Sequence, residues 1–475
     1  MSKRVRRFTA IALAAIVGVV SWHDCPRAED ALLHNPVAPS LELPTFSRCA
    51  PATPPVLPQR WRAVGLMTPF TPAQLDIGEF VYDGSVPAMR ASIYGLESGA
   101  ADLLITNADT YLLSGPHHAP TGCTSLGPQY KPPSARWLPK QARCVGEAPI
   151  MSTPVQWWSA PAGLSHTTWH WYATETRLPW RSMMSSPGRY PAIIGDYSMT
   201  FFPVFEAVRS TNLGALRDLC RVQPRRPRIN ARVQSARTLM TARNEAAETE
   251  RLARIETLIP GLSHQACANA TPQRWPPHLG MTAMMTPQNF GHGPYPTEML
   301  YDWSGAKGHR TRNYLPNKPG MLPVLDGVLL PGAGYEIKRE ASGATTCLPI
   351  YPGVIKPDWM AADKCECKGV IKNHPTLSPN DVTEIRACTR ERRQFFWSWY
   401  TTSGRPVVFM EPSPQGDGPA ITDYHRVVPG HDIPSGTFDL PAQCATTSAR
   451  RPGQQQGSYE ANNPVCTNCH LGSER

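Results

Sequence analysis

The cysteine spacing of the first half of the chain recurs in the second half. In the first half, intervals of 74, 21 and 76 residues separate Cys49, Cys123, Cys144 and Cys220. In the second half, intervals of 80, 20 and 77 residues separate Cys267, Cys347, Cys367 and Cys444. Other landmarks keep the same order, since a Tyr-Asp pair follows each first cysteine and "WHWY" is answered by "WSWY". A match of this length predicts one duplicated domain, not a solenoid of short units.

The duplication divides the 475 residues into five segments. The predicted segments are a signal peptide (1–21), repeat 1 (45–222), a helical linker (223–262), repeat 2 (263–446) and a polar tail (447–475). The linker is rich in Ala, Arg, Glu and Leu and has no Gly or Pro between residues 229 and 258. This composition predicts a helix over roughly 229–258.

The first 21 residues have the anatomy of a secretory signal. Several basic residues precede a short apolar run, residues 11–20, which is too short to span a bilayer comfortably. Export would leave the mature chain without a transmembrane segment, in the periplasm or secreted, where disulfides persist. The net charge of +10 is concentrated in the leader and in an arginine-rich stretch near residue 225. We interpret that stretch as a solvated surface, and we expect no nucleic-acid partner.

Cysteine parity predicts that each repeat closes its own disulfides. Repeat 2 has two additional cysteines, Cys365 and Cys388, which can pair with each other. Parity leaves the connectivity open, because four cysteines allow three pairings and six allow fifteen. The working prediction joins the closely spaced cysteines and the outer cysteines of each repeat: Cys123–Cys144, Cys347–Cys367, Cys49–Cys220 and Cys267–Cys444.

Short aromatic and β-branched runs between the 51 prolines and 35 glycines predict a mainly β fold. Each repeat is expected to form a curved antiparallel β domain. In W-x-W-Y the two tryptophans of each repeat share one face of a strand, and we interpret them as core, with a ligand-pocket wall as the alternative.

No catalytic residue is predicted. Asp83 and Asp302 follow tyrosine in both repeats, but no second acid or histidine is seen to recur at a fixed spacing, so a turn or strand-end role is favoured over catalysis. The pair His117-His118 lies in a turn-like segment and is interpreted as part of a loop, not as a metal site.

Each repeat also resembles the secreted ependymin-related proteins. The resemblance is carried by an early Cys-Ala-x-x-x-Pro, the Tyr-Asp pair, an arginine soon after it, and an Asp-led strand ending in Tyr twelve residues before a cysteine. It implies a curved antiparallel sheet of the LolA type with an apolar pocket. It also implies a dimer-like association that a duplication builds within one chain. Ependymin-related proteins are credited with calcium binding, but no acidic loop here can be assigned to it.

The chain ends in a C-x-x-C-H motif. Cys466 and Cys469 have the spacing for two thioether bonds to haem, and His470 directly follows as an axial iron ligand. This end resembles the mono-haem tails of exported proteins of the cytochrome c family, which implies one covalent haem c. Only five residues follow His470, so a sixth ligand has to come from upstream, for example from His425 or His431, or from a partner.

Three hypotheses for function follow. The first is an exported protein with one covalent haem on its tail, acting in electron transfer with a redox partner protein. The second is a binding protein for a lipid or other apolar ligand, built from two ependymin/LolA-like halves, with the tail cysteines in a disulfide. The third is a thiol-disulfide oxidoreductase that uses Cys466 and Cys469, although the strand–helix–strand context that activates such thiols is missing.

Overall fold

A computed structural model describes most of the chain between residues 41 and 445. The described ranges are 41–69, 75–97, 99–128, 131–133, 138, 140–150, 153–161, 167–184, 197–222, 224–225, 245–287, 293–305, 307–316, 323, 325–339, 344–350, 354–372, 380–390, 394–412 and 419–445. The predicted signal peptide, the first part of the predicted linker helix, and the tail with Cys466, Cys469 and His470 lie outside the described residues.

Repeat 1 forms one sheet. Its strands are β1 (Arg60–Pro69), β2 (Asp76–Asp83), β3 (Ala88–Gly95), β4 (Ala100–Thr106), β5 (Thr110–Ser114), β6 (Gly122–Gly127), β7 (Arg143–Ile150), β8 (Thr153–Pro161), β9 (Thr167–Ala173), β10 (Pro179–Met184), β11 (Tyr197–Ala207) and β12 (Pro224–Arg225). Their order in the sheet is β12-β6-β5-β4-β3-β2-β1-β11-β10-β9-β8-β7. All pairs are antiparallel except β12 with β6.

Repeat 2 forms a second sheet. Its strands are β13 (Leu262–Ser263), β14 (His278–Pro287), β15 (Tyr295–Asp302), β16 (Gly308–Asn313), β17 (Leu325–Leu329), β18 (Gly334–Arg339), β19 (Thr345–Ile350), β20 (Glu366–Lys372), β21 (Val382–Arg390), β22 (Gln394–Thr401), β23 (Pro406–Pro412) and β24 (Pro419–Pro429). Their order is β13-β20-β21-β22-β23-β24-β14-β15-β16-β17-β18-β19.

The eleven longer strands of the two sheets follow the same order, whereas the two-residue strands β12 and β13 lie at non-equivalent edges. In repeat 1, β1 lies between β2 and β11, and β6 and β7 stand near opposite edges. In repeat 2, β14 lies between β15 and β24, and β19 and β20 stand near opposite edges. The described helices are α1 (Leu213–Val222), α2 (Glu245–Leu258), α3 (Trp359–Ala362) and α4 (Ala442–Ala445), with a 3-10 turn at Gln265–Asn269. The prediction of a mainly β, duplicated fold is therefore confirmed.

Five disulfides join the ten cysteines within their own repeats. The bonds are Cys49–Cys144, Cys123–Cys220, Cys267–Cys367, Cys347–Cys444 and Cys365–Cys388. The Cys365–Cys388 pair is as expected, but the predicted connectivity of the other eight cysteines was wrong. Cys123 and Cys144 are close in sequence, yet they lie on β6 and β7. These two strands stand near opposite edges of the sheet. Each bond instead ties a flanking segment to a strand near an edge.

One face of each sheet, which we call the joining face, packs against the other repeat. A single buried cluster contains Trp157, Trp169 and Trp171 of repeat 1 together with Trp397 and Trp399 of repeat 2, all at most 1% exposed. The Trp169 indole N–H crosses to donate to the Pro287 carbonyl at 2.8 Å. The interpretation of the W-x-W-Y tryptophans as core is therefore confirmed, and the two repeats associate like the subunits of a dimer.

The opposite face of each sheet, the distal face, has a cluster of its own repeat. In repeat 1 this cluster runs across strands β1–β4, β8 and β9 and is covered by residues from the connections, among them Leu57, Leu138 and Ala142. In repeat 2 the covering residues are Val354, Ile355, Trp359 and Met360. The strands supply both faces because alternate side chains point to opposite sides.

Candidate functional site

The distal face of repeat 1 is built around a stack of aromatic rings. In the β1 segment "RWRAVGLM", alternation sends Trp61 and Met67 to the distal face and Val64 and Leu66 to the joining face. The Trp61 ring stacks on Tyr82 at 5.4 Å and on Phe205 at 4.9 Å between centroids. Stacked aromatic and methionine side chains give this buried cluster large and adaptable apolar contacts.

Polar groups also lie on this distal face. His170 is buried on β9, with Nδ1 3.1 Å from Ser182 Oγ and Nε2 3.1 Å from Thr168 Oγ1. Burial lowers the pKa of His170 to about 4, so the imidazole is neutral at pH 7. A neutral imidazole between hydroxyl groups can donate and accept hydrogen bonds without placing a charge in the apolar interior.

A second polar chain lies beside His170. The indole N–H of Trp158, the cross-strand partner of His170, donates to Gln156 Oε1 at 3.3 Å. The Gln156 amide donates in turn to Glu147 Oε1 at 2.9 Å. These side chains leave the distal face of repeat 1 apolar in its middle and polar toward β7–β10.

Repeat 2 fills the same face differently. Trp275 donates its indole N–H to Tyr400 Oη at 2.7 Å and packs edge-on against Tyr301 and Trp359. By strand register, Glu384 and Arg386 occupy the positions of Gln156 and Trp158. They form a buried ion pair, with Arg386 Nη2 2.6 Å from Glu384 Oε2.

A charged cluster on the joining face of repeat 1 anchors α2. Arg254 of α2 places Nη2 2.6 Å from Glu79 Oε2, and Arg62 Nε lies 3.1 Å from Glu79 Oε1. His117 Nε2 stands 3.7 Å from the same carboxylate. Burial by itself would raise the pKa of Glu79, but the hydrogen bonds and charges of Arg254 and Arg62 outweigh it and lower the pKa. Glu79 is therefore ionised at neutral pH and holds the linker helix to the sheet.

The counterpart in repeat 2 satisfies its glutamate within the sheet. Glu298 is paired with Arg312 at 2.9 Å, and Arg312 stands at the register position that Ser92 has in repeat 1. Glu79 and Glu298 each lie four residues before the Asp of the Tyr-Asp pair. The statement that no second acid recurs was wrong. The two glutamates were missed because strand neighbours two and four residues apart share a face without sharing a recognisable motif.

His117 is also part of this cluster. Burial and the charge of Arg90 lower its pKa, against the effect of nearby acids. Its ring nitrogen Nε2 lies 3.1 Å from Ser92 Oγ, and its carbonyl accepts a hydrogen bond from Arg90. His118 is exposed, as a loop residue would be.

The Tyr-Asp pairs mark turns. Asp83 accepts hydrogen bonds from the Ser85 N–H and hydroxyl, and Asp302 accepts the same pair from Ser304. Burial acts to raise the pKa of Asp83, but hydrogen bonds from Ser85, Thr211 and Arg60 lower it to about 2. The turn interpretation is confirmed, and the motif that signals it is Tyr-Asp-x-Ser.

Replacing Glu79 by glutamine should loosen α2. The substitution removes the charge that holds Arg254, at a cost of about 1.5–3 kcal/mol for a hydrogen bond to a charged group. We expect faster amide exchange in Glu245–Leu258, measured by hydrogen–deuterium exchange mass spectrometry. Glu298→Gln is the matched control, because Glu298 pairs with Arg312 of its own sheet. Equal exchange in wild type and Glu79→Gln would contradict the anchoring role.

The remaining predicted site residues are not brought together by the described part of the chain. Cys466, Cys469 and His470 lie outside it. Within it, no three His, Cys, Asp or Glu side chains gather into a group that could hold a metal. None of its helices is long and apolar enough to cross a bilayer. The five disulfides are consistent with a periplasmic or extracellular location.

Comparisons with known proteins give structural neighbours only. No family model matches the chain, and no curated protein matches it. MucB in a MucA/MucB complex from Pseudomonas aeruginosa is 9% identical, with 80% of this chain and 90% of that chain covered and a TM-score of 0.20. The LolA superfamily protein NE2245 from Nitrosomonas europaea is 10% identical, covering 37% and 94%, with a TM-score of 0.20. An uncharacterized conserved protein from Thermus thermophilus is 11% identical, covering 36% and 92%, with a TM-score of 0.25.

Proposed function

We propose that the chain is an exported binding protein for an apolar ligand, such as a lipid. The observation that carries the proposal is that the two faces of each sheet pack against different partners. The joining faces of the two repeats pack against each other. Each distal face instead has an extended aromatic cluster made only by residues of its own repeat. Covering segments, not another sheet, lie over that cluster.

The residue types of the distal face support this proposal. Aromatic rings and methionines offer large, adaptable apolar contacts, and the few polar side chains can orient a head group. Binding sites for small apolar molecules are typically concave and mostly apolar, with a few polar groups that orient the ligand. The ependymin and LolA resemblance of the sequence implies the same class of ligand.

Purified protein should bind the apolar fluorophore 1-N-phenylnaphthylamine and should release it when a long-chain fatty acid is added. The measurement is a fluorescence titration on the full chain, with native mass spectrometry to detect lipid carried through purification. Trp61→Ala should weaken binding about tenfold or more, since it removes the ring on which Tyr82 and Phe205 stack. Asp218→Ala, at an exposed position of α1, is the control. Absence of both probe binding and co-purified lipid would reject the proposal.

A second candidate function rests on the tail. Cys466, Cys469 and His470 form the attachment motif for haem c, which would supply one-electron chemistry when bound. Under this hypothesis the chain is an electron-transfer protein or a haem-bearing subunit, and the duplicated β domain carries the cofactor to a redox partner.

Expression in a host with cytochrome c maturation decides the second candidate. We expect wild type to retain haem after denaturation, to stain on a gel and to give a pyridine haemochrome spectrum. Cys466→Ser should retain at most one thioether bond, and the Cys466→Ser/Cys469→Ser double variant should lose all covalent haem. Cys25→Ser is the matched control, since Cys25 lies outside the motif. A colourless wild type would leave the tail cysteines as a disulfide or a dithiol.

A further inference from the structure

The two repeats close their distal faces by different means. In repeat 2, Cys365 directly precedes β20 and Cys388 lies in β21, so their disulfide ties the covering segment to the sheet. Arg386 reinforces the tie, since its Nη1 donates to the Cys365 carbonyl at 3.2 Å while its Nε donates to Glu384 at 3.0 Å. The end of this covering segment is thus held by a covalent bond and by a hydrogen bond from a buried arginine.

The covering segment of repeat 2, which we call its cover, is also packed tightly. Val354, Ile355, Trp359 and Met360 are all less than 9% exposed. The Trp359 ring meets Trp275 at 6.0 Å and Phe409 at 6.3 Å between centroids, in edge-on contacts. A ligand entering this face would have to displace aromatic contacts from a segment that cannot swing away from β21.

Repeat 1 has no such tie at the same place. Arg143 pairs with Ser159 as Glu366 pairs with Ala387, so Ala142 and Ala160 stand where repeat 2 has Cys365 and Cys388. Both alanines belong to the distal cluster. Gln156 and Trp158 likewise replace the ion pair of Glu384 and Arg386 by neutral side chains. At this point two alanines of the apolar cluster therefore take the place of the disulfide.

The polar groups of the two distal faces differ as well. His170 and Ser182 form a hydrogen-bonding cross-strand pair in repeat 1, and repeat 2 has Ser398 and Phe409 at those positions. Repeat 1 thus has at this position a neutral hydrogen-bonding group that a ligand head could contact, whereas the buried histidine of repeat 2, His309, lies on another strand against Trp275. In repeat 2, the buried charges beside this position are already paired with each other.

We infer that repeat 1 is the half that receives the ligand, while the additional disulfide holds repeat 2 closed as the structural half. This inference rests on the proposed binding function. The ligand class that fits is an acyl chain with a hydrogen-bonding head group. The acyl chain would lie along Trp61, Met67 and Met89, and the head group would contact His170 and the hydroxyl group beside it.

The duplication itself supplies the test. Ala142→Cys/Ala160→Cys transfers the disulfide of repeat 2 to repeat 1, and bond formation is verified by peptide mapping. Ala142→Ser/Ala160→Ser is the control of nearly equal size without a bond. Cys365→Ala/Cys388→Ala removes the disulfide from repeat 2. Alanine is chosen because repeat 1 has alanine at both equivalent positions. All are full-length chains titrated with 1-N-phenylnaphthylamine and then with palmitate.

We expect wild type and the serine control to bind one probe per chain and to release it to palmitate. The cross-linked variant should bind at least tenfold more weakly, and Cys365→Ala/Cys388→Ala should retain the site. If the cross-linked variant fails to fold, Met89→Trp tests the same face by filling it and should also weaken binding. A cross-linked variant that binds like wild type, or binding lost only in Cys365→Ala/Cys388→Ala, overturns the assignment to repeat 1. A wild type that binds no probe instead removes the proposed function itself.

Discussion

Asp423→Thr should be among the most destabilising single substitutions in this chain. Asp423 of repeat 2 accepts two hydrogen bonds from Arg181 Nη1 of repeat 1, at 2.6 and 2.8 Å, inside the interface between the repeats. The two side chains are 3% and 0% exposed. Removing the carboxylate leaves a guanidinium buried in the joining face without its counter-charge. Such a change costs about 3–5 kcal/mol of unfolding free energy.

The two repeats provide the rescue. By strand register, Val408 occupies the position of Arg181, since Trp399 pairs with Val408 as Trp171 pairs with Arg181. Leu66 of β1 corresponds to Met284 of β14. Thr200 pairs with Leu66 as Asp423 pairs with Met284, so Thr200 occupies the position of Asp423. Arg181→Val/Asp423→Thr therefore gives each position the residue of the other repeat. Replacing a buried ion pair by uncharged side chains is often neutral or stabilising, so the double variant should regain most or all of the loss.

Urea unfolding followed by tryptophan fluorescence measures both variants, because the core around the pair contains several tryptophans. Asp432→Thr is the control, since Asp432 is exposed and such substitutions change stability by about 0.5 kcal/mol or less. A double variant as unstable as Asp423→Thr would show that the loss comes from packing and not from the unpaired charge. A single variant as stable as wild type would show that Arg181 is well solvated in the native state.

The ion pair also explains why unlike halves associate. A dimer of two copies of repeat 1 would bury two arginines in this interface, each facing the position of Thr200. A dimer of two copies of repeat 2 would bury two aspartates facing valine. Burying charges without counter-charges is costly, so the pair favours the association of repeat 1 with repeat 2. Burial raises the pKa of Asp423, and the charge and hydrogen bonds of Arg181 act against that rise.

What the sequence could predict is what the two repeats share. The duplication, the β class, the core tryptophans and the Tyr-Asp turns all recur, and recurrence separated them from chance. Arg181 and Asp423 could not be found in this way, because they are 242 residues apart and neither has its counterpart in the other repeat. The differences between the repeats are where the candidate site lies.

The disulfide connectivity escaped prediction for a topological reason. Spacing along the chain favours a bond between Cys123 and Cys144, but an open sheet whose first strand lies in the middle places its sixth and seventh strands near opposite edges. Only the bond between Cys365, which directly precedes β20, and Cys388 of the neighbouring strand β21 was accessible to reasoning from parity. Knowledge of the strand order would have been needed for the rest.

Two buried histidines should make the protein sensitive to acid. His170 of repeat 1 and His309 of repeat 2 are at most 4% exposed, and burial lowers the pKa of each from 6.5 to about 4. In the unfolded chain each would bind a proton near pH 6.5, and in the folded chain only near pH 4. Their contribution to stability is therefore complete above pH 6.5 and is lost as the pH falls toward 4. At 1.36 kcal/mol per pH unit, each histidine accounts for a loss of about 3 kcal/mol over this window.

Substitutions taken from the other repeat isolate this effect. Met89 stands at the position of His309, because it pairs with Tyr82 as His309 pairs with Tyr301, and Ser398 stands at the position of His170. His309→Met and His170→Ser should each flatten the fall in unfolding free energy between pH 6.5 and 4, measured by urea unfolding across that range. The slope is the readout, because either substitution also changes packing at pH 7. His118→Met, at an exposed position, should keep the wild-type slope. If both core variants lose stability with acid as steeply as wild type, the histidines are protonated within the fold at little cost, and the acid sensitivity must come from the carboxylates that the folded chain holds ionised, such as Glu79.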